Sequence, residues 1–144
     1  MKARRSIRSY SKRPMHHAAE GQLQDYLRHI EHPFDARIRV ELIKSGEYPG
    51  NHRLGTYGVI KNAQAFFAVC CDRSDFAEEA IGYAFEKVVL KSTQLGLGTC
   101  WIGGTFNKGA FADAVQLKAD EMLPIVSPVG QASAKPSMVS KTMS

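Results

Sequence analysis

Two clusters in this 144-residue chain carry groups suited to chemistry on a small ligand. The first is Arg4-Arg5-Ser6-Ile7-Arg8, which gathers three guanidinium groups and a hydroxyl within one or two turns of chain. Guanidinium forks match phosphate oxygens two at a time, and a serine hydroxyl adds a short neutral donor, so the cluster suits a phosphate. A solvated basic N-terminus accounts for the same residues, and so does an arm that grips nucleic acid. The second cluster is Leu95-Gly96-Leu97-Gly98-Thr99-Cys100-Trp101-Ile102-Gly103-Gly104-Thr105-Phe106, with four glycines between positions 96 and 104. Glycine lets backbone approach a flat ligand without interference from Cβ. Gly96 reads as a plain helix stop, whereas Gly103-Gly104 has no such simple reason. The run is not a dinucleotide fingerprint: GxGxxG spacing is absent, and these glycines follow a helix and precede a strand.

Other reactive side chains offer little. Cys100 lies between Thr99 and Trp101 on a short apolar segment and reads as inert core. Cys70 and Cys71 are adjacent in a buried strand, and no Cys/His spacing suggests zinc or a redox dithiol. His16 and His17 point apart on either a helix or a strand, with no carboxylate placed to complete a metal site.

The net charge of +5 is local. Residues 1–17 hold Lys2, Arg4, Arg5, Arg8, Lys12 and Arg13 and no acid, which is six of the nineteen basic side chains. The remaining thirteen face fourteen acids, so the rest of the chain is close to neutral. A discrete anion fits that distribution better than a long polyanion does. With 44% hydrophobic and 23% charged residues the composition is that of a folded globular domain, expected over residues 1–130 with a mobile tail at 131–144. No apolar run approaches the roughly 20 residues that cross a bilayer, and no signal peptide is evident, so a cytoplasmic protein is expected.

The elements that must position these clusters follow from periodicity. Leu23, Tyr26, Leu27 and Ile30 have helical spacing and predict a helix over 18–30, before Pro33. Ile38, Val40 and Leu42 alternate with Arg37, Arg39 and Glu41, a half-buried strand over 37–43. The apolar run 63–71 predicts an interior strand. Residues 75–95 carry Ala77, Ala80, Ile81, Ala84, Phe85, Val88 and Leu95 in one helical stripe, stopped by Gly96. Its small residues, Ala77, Ala80, Gly82 and Ala84, would admit a neighbouring helix or subunit, though ordinary core packing explains them equally well. A short strand is expected at 99–102, a helix capped by Asn107 over 108–117, and a last strand at 123–129. Pro124 and Pro128 assign that last strand to an edge. The order gives an α+β or α/β three-layer sandwich around one mixed or antiparallel sheet flanked by helices.

Four segments, RRSIRSYSKRP, YGVIKNAQAFFAV, LGLGTCWIGGTFNKGAFADAV and LPIVSPVGQASAKPS, together resemble the nitroreductase family of flavoproteins, most closely its compact Thermotoga-type branch. The resemblance covers nearly the whole chain, in the family's order. It implies an α+β fold that forms a homodimer with FMN at the subunit interface. It also implies electron transfer from NADH or NADPH through the flavin to a small-molecule acceptor such as a nitroaromatic or quinone. By match to the motifs, Arg4, Arg5, Ser6 and Arg8 would contact the FMN phosphate, ribityl chain and pyrimidine edge. Gly103 and Gly104 would lie beside the isoalloxazine, Tyr57 and Gly58 would contribute from the middle motif, and Lys135 would help hold the phosphate. Arg8 would supply a positive charge near the flavin pyrimidine. Two departures stand out: Pro136 and Ser137 follow Lys135 where the family has an arginine, and the chain ends at Ser144, where the family continues into a segment that embraces the partner. A shortened member is therefore expected, and a flavin-free binding module is the competing expectation.

Overall fold

A computed structural model describes residues 6–30, 37–44, 60–104 and 106–133. Along them run α1 (His17–Leu27), β1 (Ile38–Lys44), β2 (Ala65–Asp72), α2 (Ala77–Gln94), β3 (Gly98–Thr99), α3 (Lys108–Val115) and β4 (Glu121–Gly130). The strands form one antiparallel sheet in the order β1-β2-β4-β3. The result is an α+β three-layer sandwich.

The continuous apolarity of β2 follows from its place between β1 and β4, with helices over both faces. Its alternate side chains divide between two cores: Phe67, Val69 and Cys71 pack with α1 and α2, and Phe66, Ala68 and Cys70 pack with α3. Edge-to-face ring contacts join the layers on each side, Phe67 to Phe85 of α2 at 5.9 Å and Phe66 to Phe111 of α3 at 5.2 Å.

The helices form where the periodicity places them, with local adjustments at their ends. His16 caps α1 by accepting from Ala18 N–H through Nδ1 at 3.3 Å, so one ring of the His16-His17 pair has a structural task. The helix closes at Leu27 with i→i+3 bonds from Arg28 and His29 N–H, while Ile30 still packs on the core. Gly96 takes φ +78° just past α2, which is the conformation a helix stop needs. Asn107 caps α3 by accepting from Ala110 N–H. In α2, Ala77, Ala80 and Ala84 are buried, and Ala77 packs in the core between α2 and the sheet.

The last strand departs from expectation. Both prolines belong to β4, yet β4 is interior, paired with β2 on one side and β3 on the other. Two local devices make this possible. At Pro124 the register with β2 shifts, so that Leu123 and Pro124 together face the single residue Cys70. At Pro128 the missing N–H falls on the β3 side, because Val126 exchanges both backbone bonds with Ile102 and alternate residues point the same way. There the Ser127 hydroxyl stands in for the ladder, accepting from Cys100 N–H at 3.0 Å and donating to Pro128 C=O at 2.8 Å. The same interruption shortens the strand expected at 99–102 to Gly98–Thr99 plus an isolated bridge at Ile102.

Candidate functional site

The segment that carries the basic cluster is fastened into the end of the sheet. Ile7 N–H donates to Thr99 C=O at 2.9 Å, and Ser6 forms a parallel bridge with Thr99. Lys61 N–H donates to Arg8 C=O at 2.8 Å, and Tyr10 N–H returns a bond to Lys61 C=O at 3.0 Å. Ser11 N–H reaches Gln131 C=O at 2.9 Å, and Ser133 N–H reaches Ser9 C=O at 3.0 Å. Residues 6–11 therefore touch each of the other three motif segments through backbone alone. Gln131 and Ser133 are tied in by the same set of bonds.

Close packing fixes this segment further. A β-carbon added at Gly98 would lie 2.6 Å from Ile7 Cγ1 and 2.9 Å from Ile7 Cβ, which only glycine avoids. Tyr10 packs against Gly130 and is buried, and burial pushes its phenol well above the ordinary tyrosine range. Arg8, by contrast, is exposed and forms no ion pair among the described residues. Ser6 is exposed beside Thr99.

Beyond Ile102 the chain turns outward at Gly103 and Gly104. Both are exposed, and a β-carbon at either position would meet nothing within 4 Å. No hydrogen bond among the described residues engages either N–H. Ser6 pairs with Thr99, four residues before Gly103, a separation of about 13 Å or less along an extended chain. Of the residues singled out in the sequence, Ser6 is bridged to Thr99 and Arg8 is held through Lys61, while Gly103 and Gly104 follow Ile102, which bridges Val126. Arg4, Arg5, Tyr57, Gly58 and Lys135 lie outside the described residues.

No thiol here is poised as a nucleophile. Cys70, Cys71 and Cys100 are all buried and free. Burial pushes the Cys70 thiol up to about 12 and raises that of Cys71 as well.

Sequence reasoning missed three features. Lys61 and Ser133 anchor the basic segment through backbone atoms, which leave no side-chain signature. Gly98 reads as one more glycine until Ile7 is placed against it. At the opposite end of the sheet, Arg39 donates to both Glu121 carboxylate oxygens, at 2.6 and 3.3 Å, and to Val115 C=O at 2.9 Å. That guanidinium ties β1 to the start of β4 and the end of α3. The groove around it is lined by Arg37, Lys118, Asp72 and Asp120 as well, and its charges largely pair with one another.

The family model described as "Putative TM nitroreductase" matches residues 1–143, and the chain belongs to that family. Solved structures share the fold at low identity. A nitroreductase family protein from Clostridium novyi NT is 14% identical over 91% of this chain and 82% of its own, with a TM-score of 0.69. An FMN-dependent nitroreductase from Clostridium difficile R20291 is 16% identical over 93% and 86%, with a TM-score of 0.69. An oxidoreductase containing FMN is 16% identical over 96% and 80%, with a TM-score of 0.71. A search of curated proteins gives no match. No helix among the described residues is long and apolar enough to cross a membrane.

Proposed function

We propose that this protein is an FMN-dependent oxidoreductase that passes electrons from NADH or NADPH to a small-molecule acceptor such as a nitroaromatic or quinone. The observation that carries the reading is the convergence of the four motif segments on residues 6–11, where Ile7 meets Thr99, Arg8 meets Lys61, and Ser9 meets Ser133. Membership of the nitroreductase family and FMN in the names of similar structures support it.

The described residues fit the cofactor. Gly103 and Gly104 present bare, exposed backbone with open space beside it, as a flat ring system requires. Arg8 and Ser6 are exposed donors on the segment paired with Thr99 and Lys61, and Arg8 forms no ion pair among the described residues. In this reading Arg4, Arg5, Ser6 and Lys135 hold the phosphate, and Arg8 sets a positive charge at the pyrimidine edge. A Gly103 or Gly104 N–H meets the flavin, and Tyr57 and Gly58 complete the cradle. Bound FMN supplies the electron-transfer chemistry, and the chain contributes binding, orientation and electrostatics. Arg8 would stabilise negative charge that develops on the pyrimidine side during reduction. The site is shared between two copies of the chain in a homodimer.

Reconstitution tests the reading. Protein loaded with FMN and kept anaerobic should lose its flavin absorbance on addition of NADH or NADPH and regain it on addition of a quinone. A loaded protein that neither nicotinamide reduces would contradict the assignment.

A further inference from the structure

Two buried polar atoms share one face of the ribbon that leads to the glycine pair. Side chains alternate along residues 97–102: Leu97 and Trp101 pack in the core with α1 and α2, while Cys100 and Ile102 pack in the core with α3. Thr99 falls between Leu97 and Trp101 and pairs with Val129 of the α2 core, so it shares their face. The Thr99 hydroxyl and the Trp101 indole N–H are both buried, and neither makes a hydrogen bond within the protein. Thr99 is 1% exposed, which keeps bulk solvent from its hydroxyl.

The chemistry of the two groups says what joins them. An indole nitrogen only donates, whereas a hydroxyl both donates and accepts. Residues two apart on a strand stand about 7 Å apart, a span that one water can bridge by accepting from the indole N–H and donating to the hydroxyl oxygen. Buried polar groups left unmet are costly and rare, and an ordered water is the common remedy where the chain supplies no partner.

We propose that Thr99 and Trp101 hold one internal water between them and act as positioning residues for the FMN site. Thr99 C=O accepts from Ile7 N–H at 2.9 Å and Thr99 bridges Ser6, so this residue fastens the basic segment. Trp101 stands two residues before Gly103, and its ring meets Phe85 of α2 at 4.9 Å, edge to face. The water ties the residue that holds the basic segment to the residue that leads into the glycine pair, and it stops the indole from turning on Phe85. The inference rests on the FMN reading above and adds two residues to it.

The test uses Thr99→Val, which keeps the shape and removes the hydroxyl, and Trp101→Phe, which keeps a ring beside Phe85 and removes the indole N–H. Each should weaken FMN binding by about fivefold or more in fluorescence titration, and the double variant should bind no worse than the poorer single, because both remove the same water. Trp101 is the only tryptophan of the chain, so its emission in the FMN-free protein reports the water directly. Thr99→Val should move that emission to shorter wavelength. Losses that multiply in the double variant, or unchanged FMN affinity in both singles, would overturn the positioning role. Unshifted emission would overturn the water whatever FMN does. A wild type that binds no FMN, with the emission shift present, would overturn the cofactor reading and the positioning role with it, and leave the water standing.

Discussion

The side chain of Ile7 occupies the space that a β-carbon on Gly98 would need, with Cγ1 only 2.6 Å from that position. This contact lets Ser6 and Ile7 pair with Thr99, and so sets the direction in which the basic segment leaves the sheet. Gly98→Ala should therefore displace the segment and lower FMN affinity by at least tenfold while the domain stays folded. Ile7→Ala in the same chain removes the nearest atom and should restore part of the loss, a coupling that a double-mutant cycle with fluorescence titration would measure. Independent, additive effects would mean that the contact does not position the site.

At the strand end, Gly103→Val adds a branched side chain where the chain itself leaves open space. Circular dichroism and thermal unfolding should stay close to wild type, and FMN binding should be lost. Normal FMN affinity in this variant would show that the glycine pair is only a turn.

Ser127 is buried and bridges Cys100 N–H to Pro128 C=O inside the sheet. Ser127→Ala strands both backbone groups away from water, at a cost of about 1–3 kcal/mol for an unsatisfied buried partner. The urea midpoint should fall accordingly with little change in slope. An unchanged midpoint would mean that the hydroxyl does not support the ladder at Pro128.

The Arg39–Glu121 pair makes stability depend on acid. Hydrogen bonding from Arg39, aided by the Lys118 N–H, outweighs burial and holds the Glu121 carboxyl below its ordinary 4.5. A carboxylate depressed in the folded state contributes fully above its unfolded value and loses that contribution as pH falls through the folded one. The wild type should therefore lose melting temperature steeply below about pH 4.5. Glu121→Gln should start lower at neutral pH, by about 1.5–3 kcal/mol for a charge-assisted bond, and show a shallower acid slope. Parallel curves for the two proteins would contradict the assignment.

Much of the fold was legible because burial imposes period on sequence. The two-sided core of β2 shows as unbroken apolarity, and the sheet face of α2 as Ala77, Ile81, Phe85 and Val88. The place of β4 was not legible, because proline excludes a strand from the interior only when its missing N–H faces a neighbour that needs it. Here a bulge at Pro124 and the Ser127 hydroxyl remove that need, and both depend on residues distant in sequence. Of the proposed site, the residue types were visible at Ser6, Arg8, Gly103 and Gly104. What brings their segments together is backbone pairing across fifty residues or more, from Arg8 to Lys61, Ile7 to Thr99 and Ser9 to Ser133, which spacing cannot encode.

Paired titrations of the purified protein with FMN and riboflavin test whether the basic segment and the bare glycine pair form a site for FMN. The two ligands differ only in the phosphate, and charge-assisted hydrogen bonds to it are worth about 1.5–3 kcal/mol each, so even one corresponds to at least a tenfold gain. Saturable FMN binding at least tenfold tighter than riboflavin binding is expected. Equal affinity for the two, or no saturable binding of FMN, would contradict it.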